Sequence, residues 1–256
     1  MRKIATTILA GAALLAAGVA AAEPTGITVR VLSKDAKFVG TSMGGVRITL
    51  RDAHTGETLA TGLTRGGTGD TGRLMHEDGG RRAGLADASA AAFETTLDLD
   101  APRLVEVEAY GPLAQPQAAH RIVSTQWVVP GRDITGGDGW VLELPGFVVD
   151  VLAPPAHIKL SADTASVPVT ANVTMMCGCP IEPGGLWDAD DYEVTALVRR
   201  DGGKTRRVAL DYAGETSRFG GEIRVDGPGV YDVTVYAHDP GNGNTGLDRT
   251  TFIVNR

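Results

Sequence analysis

Hydrophobic and polar residues alternate with a period of two along the chain after residue 22, in short runs separated by Gly, Pro, Asp and Asn. Such alternation is typical of strands that bury one face, and regular turn residues between short strands are typical of sandwiches and barrels. The sequence therefore predicts an all-β fold of two tandem β-sandwich domains. The predicted strands cover residues 27–32, 46–51, 58–63, 93–99, 104–110, 121–129, 140–144, 147–152, 157–161, 167–177, 192–200, 205–212, 219–225, 230–238 and 248–254.

The boundary between the two domains is predicted at the Ala-Pro-Pro-Ala segment, residues 153–156. Two consecutive prolines remove two backbone donors and force an extended path, which suits a hinge. The expected organisation is a first β-sandwich over residues 23–152, a hinge at 153–156, and a second sandwich over residues 157–256.

A local motif in the second half resembles the immunoglobulin-like superfamily. Asp226-Gly-Pro-Gly-Val-Tyr231 precedes the alternating run that contains Val233 and Val235. This arrangement is similar to the tyrosine corner, in which a Tyr near the start of strand F bonds back to upstream backbone. The resemblance implies an immunoglobulin-like sandwich and no function. Val233 stands where antibody domains carry the second cysteine of their inter-sheet disulfide.

The first half contains a strand–turn–strand pattern in which residues 46–50 are followed by Thr55-Gly56-Glu57 and then by residues 59–61. This pattern is similar to that of transthyretin-like and carboxypeptidase-regulatory modules. The resemblance implies a second type of β-sandwich in this half.

The N-terminus has the three parts of a secretory signal peptide. Met1-Arg2-Lys3 is positively charged, residues 4–19 are apolar, and Ala20-Ala21-Ala22 offers a cleavage site before Glu23. We therefore expect residues 1–22 to be removed and the mature protein to be periplasmic or secreted, in a bacterium. No later stretch is long and apolar enough to span a bilayer as a helix.

The net charge is negative, with 24 Lys and Arg against 31 Asp and Glu and a formal charge of −7. Removing residues 1–22 takes away two basic residues and no acidic one, which leaves −9. A charge of this sign disfavours nucleic acid as a partner.

The most distinctive segment is Met175-Met176-Cys177-Gly178-Cys179, which holds both cysteines of the chain. The alternation of the preceding strand places Cys177 and Cys179 on its buried face. One interpretation is a Cys177–Cys179 disulfide, which needs a kink at Gly178 because i and i+2 residues of an extended strand lie too far apart. Another is a soft-metal site, with two thiolates and the Met175 or Met176 thioether binding copper, or zinc as the second choice. The third is a pair of inert or partner-directed thiols.

His238 is a candidate further ligand. In an immunoglobulin-like sandwich the B–C and F–G loops meet at one end, which would bring the end of strand 230–238 towards the cysteines. A Cys₂His site could form there if the strand ends before His238. The alternation of Val233, Val235 and Ala237 instead turns His238 outward.

Other motifs have simpler interpretations. Gly40-Thr-Ser42-Met-Gly44 fits the nucleophile-elbow pattern, but a strand rather than a helix follows it, which indicates a glycine-rich turn. The acidic residues Asp188, Asp190 and Asp191 lack the spacing of a calcium loop. The segment 65–92 is Gly-rich and has little strand character.

These observations predict a non-enzymatic periplasmic binding or accessory protein that binds copper through Cys177, Cys179 and the neighbouring methionines. The alternative is a structural or protein-interaction module with a local disulfide, whose partner is another periplasmic or secreted protein. A third hypothesis, thiol–disulfide exchange, lacks a flanking cation or helix N-terminus that would lower a thiol pKa.

Overall fold

The structure is a computed structural model that describes residues 21–76 and 83–256, and within these ranges it consists of two β-sandwiches. The all-β fold class is therefore confirmed. The expected signal peptide lies outside the described residues except for Ala21 and Ala22. In the described part of the chain, no helix is long and apolar enough to cross a membrane.

The first sandwich packs a three-stranded sheet, in the order β4-β1-β7, against a four-stranded sheet, in the order β3-β2-β5-β6. All neighbours are antiparallel except β1 and β7, which are parallel. Among the described residues, a 3₁₀ turn at Thr41–Met43 and helix α1 at Thr71–Met75 lie in its connections. The strands are β1 (Glu23–Ser33), β2 (Arg47–Asp52), β3 (Thr58–Leu63), β4 (Phe93–Leu99), β5 (Arg103–Gly111), β6 (His120–Val128) and β7 (Trp140–Leu144).

The second sandwich packs a sheet of order β13-β14-β10-β8 against a sheet of order β12-β11-β15-β16-β9. With β8 as strand A, these are the A-B-E-D and C-F-G orders of the immunoglobulin fold, extended by β12 beside C and β9 beside G. The second domain is therefore immunoglobulin-like. Its strands are β8 (Phe147–Ala153), β9 (Ile158–Leu160), β10 (Ser166–Met175), β11 (Glu193–Arg200), β12 (Arg206–Ala209), β13 (Asp211–Tyr212), β14 (Arg218–Arg224), β15 (Gly229–His238) and β16 (Thr245–Val254).

Period-two alternation explains both cores. Along β10, Val167, Val169, Ala171, Val173 and Met175 are all buried, as the odd-numbered face of the sequence predicts. The same alternation buries Ile48 and Leu50 of β2 in the first core. Burying these apolar faces supplies the main favourable free energy of folding in each domain.

Strand β8 corrects the expected domain boundary. The sequence places it in the first domain, but it pairs with β10 from Phe147 to Ala153 and so belongs to the second sandwich. The chain changes domain at Pro145–Gly146, between β7 and β8. The expected hinge at residues 153–156 is a bend inside the second domain, where the chain leaves the sheet of β10 and enters the sheet of β16. Pro154 and Pro155 lack the donors that continued pairing would need.

The tyrosine corner forms as the sequence predicts. The Tyr231 hydroxyl donates to the Gly227 carbonyl at 2.8 Å and accepts from the Asp226 amide at 3.0 Å. The ring is fully buried and stacks on Phe252, with 4.6 Å between centroids. One side chain therefore ties the turn before β15 to the core of the second domain.

We expect Tyr231→Phe to lower the free energy of unfolding by about 1–3 kcal/mol, because it leaves a backbone donor and acceptor without their partner. Urea denaturation of the mature protein measures the change. Tyr236→Phe, on the same strand, is the matched control, because no hydrogen bond of its hydroxyl is found among the described residues. Equal losses for the two variants would contradict a special role for Tyr231.

Candidate functional site at the domain boundary

The segment from Met175 to Cys179 is a tight turn at the end of β10. The Gly178 amide donates to the Met175 carbonyl at 2.8 Å, and the Met175 amide donates to the Cys179 carbonyl at 3.2 Å. Gly178 has a φ of +76°, a left-handed conformation that glycine adopts without steric cost. The kink that the sequence analysis required at Gly178 is therefore present.

Cys177 and Cys179 form a disulfide, with an S–S distance of 2.07 Å. Both residues are buried, at 2% and 6% exposure, which confirms their placement on the inward face. Of the three alternatives that the sequence left open, the structure contains the first. Neither sulfur is a thiolate in this state, so metal binding through both cysteines would require prior reduction.

The two adjacent methionines point into different cores. Met175 packs in the core of the second domain, whereas Met176 packs in the core of the first. Consecutive residues of an extended chain project to opposite faces, so a strand end between two domains contributes a side chain to each. The Met-Met pair therefore connects the two hydrophobic cores.

Met43 is a third methionine at this turn. It lies in the 3₁₀ turn of the first domain, and a Cβ built on Gly178 would be 2.6 Å from its Sδ atom. The sequence analysis missed Met43, because its motif, Gly40–Gly44, was considered only as a nucleophile elbow. Ser42 of that motif is exposed on the 3₁₀ turn, and strand β2 follows it as expected.

His238 lies at the end of β15, paired with Glu193 of β11 on one side and Thr245 of β16 on the other. It is part of the ladder, so the condition that the strand ends before His238 is not met. No group of three or more His, Cys, Asp or Glu residues that could hold a metal is found in the described ranges. A metal site that includes His238 stays a prediction.

Hydrogen bonds fix the domain boundary next to this turn. The buried Asn244 side chain accepts from the Gly146 amide at 2.5 Å and donates to the Gly146 carbonyl at 3.0 Å. From the first domain, the Asp35 carbonyl accepts from the Trp187 indole at 3.0 Å, and the Asp35 carboxylate accepts from the Asn242 amide. The B–C and F–G loops of the second domain are thus engaged by the first domain.

The acidic residues around Tyr192 affect its ionisation. Burial is the main cause that raises the pKa of Tyr192 to about 12, and the negative charges of Asp239 and Asp191 raise it further. Asp188 caps the short 3₁₀ turn Ala189–Asp191 by accepting from the Asp190 amide. This carboxylate therefore has a structural role in the loop.

A second candidate surface lies on the outer face of the first domain. Trp127 is 59% exposed, whereas Trp140 and Trp187 are buried. Val123 and Val129 are exposed near Trp127, and we call Val123, Trp127 and Val129 the β6 patch. No motif of the sequence identified this patch.

Arginines lie beside the β6 patch on the same face of the sheet. Glu108 accepts from both Arg51, at 3.2 Å, and Arg121, at 3.4 Å. The Arg47 guanidinium lies 4.9 Å from the centre of the Tyr110 ring, a cation–π arrangement. On this face Arg47, Arg51 and Arg121 therefore outnumber Glu106 and Glu108 by one, beside the rings of Tyr110 and Trp127.

We expect Gly178→Ala to destabilise the protein more than Gly184→Ala does. Both glycines have positive φ, so both substitutions cost about 1–2 kcal/mol for the left-handed backbone. Only at Gly178 would the new Cβ meet Met43, which adds about 1–3 kcal/mol of overpacking, whereas nothing lies within 4 Å at Gly184. Denaturant unfolding measures both changes. In a Met43→Ala background the Gly178→Ala loss should be smaller than in the wild type, and equal losses at the two glycines in the wild type would contradict the close packing.

Comparisons with known proteins identify no family for this chain. No protein-family model and no curated protein matches the chain. Among solved structures, fibronectin(III)-like modules of Clostridium thermocellum CbhA match at 13% identity and a TM-score of 0.29, covering 94% of this chain and 92% of that one. The chicken interferon gamma receptor alpha chain matches at 12% identity and a TM-score of 0.35, covering 91% and 98%.

An engineered protein matches half of the chain, at 18% identity and a TM-score of 0.32, and the match spans 24% of the engineered protein's length. TM-scores of this size carry no argument about function. The assignment of the second domain as immunoglobulin-like rests on the order of its strands and on its tyrosine corner.

Proposed function

We propose that the mature chain is a non-enzymatic interaction module of a periplasmic or secreted bacterial assembly, in which the Cys177–Cys179 disulfide is a local structural bond. The observation that carries the proposal is the β6 patch. Three of the seven large apolar side chains that are exposed in the described structure belong to it. Clustered exposed apolar residues mark interaction sites, whereas scattered ones do not.

The composition of this face supports a protein partner. Trp, Tyr and Arg are the residue types enriched at energetic hot spots of protein interfaces, and Trp127, Tyr110, Arg47 and Arg121 share this face. The aliphatic side chains of Val123 and Val129 extend the apolar contact beyond the aromatic ring. The loops at the boundary end of the second domain, in contrast, already contact the first domain.

A photo-crosslinking amino acid at Thr125, in the centre of β6, should link the protein to a discrete partner in intact cells that export it. The same amino acid at Leu247 is the control, because this residue is also exposed but lies on β16 of the second domain. Adding Trp127→Ala should reduce the crosslink at Thr125 severalfold. Absence of a crosslink at Thr125, or equal crosslinking at both positions, would contradict the proposal.

A second candidate function is copper binding by the reduced protein. The observation that favours it is the Met43 Sδ atom against Gly178, which places a thioether beside the two cysteines. Two thiolates and a thioether are soft ligands that suit Cu(I). Met175 and Met176 point into separate cores, so Met43 is the methionine best placed to contribute.

We expect the protein reduced with a phosphine to retain one Cu(I) in native mass spectra, and the oxidised protein to retain none. Cys177→Ser with Cys179→Ser should abolish retention, and Met43→Leu should weaken it severalfold because it removes the sulfur but preserves the apolar volume. Met75→Leu is the methionine control, because Met75 lies on helix α1 rather than in the 3₁₀ turn that contacts Gly178. Retention of Cu(I) by the double serine variant, or no retention by the reduced wild-type protein, would contradict the copper hypothesis.

A further inference from the structure

We propose that strand β6 is an open pairing edge that binds an extended, acidic and apolar segment of a partner protein as an additional antiparallel strand. This inference rests on the proposed interaction function and specifies how the partner binds. The edge strands of the described structure differ in how they are protected, and exposed edges in natural proteins are normally protected.

The other edges of the first domain are short, charged or covered. Beside β3, the Phe93 ring packs so closely on Gly62 that a Cβ there would be 2.2 Å from the ring, and Arg65 bridges to Ala92. Strand β4 carries the exposed charges of Glu94 and Asp98. Strand β7 is only five residues long.

The edges of the second domain are protected as well. Strands β9, β12 and β13 have four residues or fewer. Strand β8 is longer, but side chains occupy its free backbone groups. The Val151 amide donates to the Asp248 carboxylate at 2.8 Å, and the Val149 carbonyl accepts from the Gln117 amide at 3.2 Å.

Strand β6 is less protected than these edges, because its one exposed charge, Arg121, lies near its start. It is nine residues long, contains no Pro or Gly, and pairs with β5 without a bulge from His120 to Val128. In the described ranges, no second strand lies on its other side and no side chain hydrogen-bonds its backbone. Its outward N–H and C=O groups therefore form a template for another strand.

The space beside β6 has room for side chains of an added strand. A groove of about 370 Å³ separates β6 from β7 and is lined by Ile122, Val123, Ser124, Val141, Leu142 and Glu143. The Trp140 indole reaches Ser124 across this gap, at 3.3 Å. Alternate side chains of the added strand would enter the groove, where Ile122 and Leu142 favour small apolar residues.

The opposite face of the added strand would meet Arg121, Val123 and Trp127. Arg121 shares Glu108 with Arg51, and the same outward face also carries Arg47 and Glu106, so it holds one more Arg than Glu. A carboxylate of the partner opposite Arg121 would balance this charge, and apolar residues would cover Val123 and Trp127. The expected occupant is therefore an extended segment with one acidic residue among apolar and hydroxyl-bearing residues.

The test uses a fluorescent nine-residue peptide of alternating Val and Thr, with an Asp opposite Arg121 in the antiparallel register. We expect fluorescence anisotropy to show binding to the mature wild-type protein and at least a tenfold loss of affinity for Val123→Lys. Val230→Lys is the matched control, because Val230 is 42% exposed and Val123 is 46% exposed, both on strands. Affinity for this variant should not change, since β15 is paired on both sides.

Backbone pairing is separated from side-chain contact by N-methylation of the peptide. Methylating the amides that face β6 should reduce affinity at least tenfold, whereas methylating those that face away should not. Hydrogen exchange should slow at alternate amides of β6 when the unmethylated peptide binds.

Three results would overturn the inference: no binding of the peptide, equal loss from the two methylation patterns, or a dimer that forms through β6 and is broken by Val123→Lys. The dimer would identify a second copy of the chain as the occupant. A crosslink at Thr125 in cells together with no peptide binding, or with equal loss from the two methylation patterns, would leave the interaction function standing and remove only strand pairing.

Discussion

The arrangement of the two domains depends on where β10 ends. Because neighbouring residues of a strand project to opposite faces, the end of β10 places Met175 in one core and Met176 in the other. The turn that follows contacts Met43 of the first domain, and Asn244 holds Gly146 nearby. A small movement of this turn would disturb both cores together. A bond between Cys177 and Cys179 limits that movement, which gives the disulfide a structural role at the boundary.

The strands were predictable from sequence because alternation is a local property, and each predicted run overlaps a strand of the structure. Sheet membership was less predictable because it depends on pairing between distant segments. The pattern of β8 is the same whether it joins the first or the second sandwich, so the Pro-Pro segment was mistaken for the domain boundary. Residues 205–212 were likewise predicted as one strand, but β12 and β13 lie in different sheets.

The candidate sites were likewise predictable only where they depend on a local pattern. The burial of Cys177 and Cys179 followed from the register of β10, and the kink at Gly178 followed from the span of an extended chain. The contact of Met43 with Gly178 was not predictable, because it joins two domains and the alternation of residues near either one does not indicate it. The exposure of Trp127 was also hidden, since its strand alternates as a buried one would. Trp127 lies with Val123 and Thr125 on the outward face of the sheet, and β6 is the last strand of that sheet.

Strands β8 and β6 meet the same physical requirement in different ways. Each is the last strand of its sheet, and each has backbone groups that must be hydrogen-bonded to another group or to water. In β8 the side chains of Asp248 and Gln117 satisfy these groups, and the first domain supplies one of the two. In β6 the groups face water beside exposed apolar side chains. Contact with the first domain therefore helps to close the edge of β8, whereas no strand pairs with the edge of β6 in the described structure.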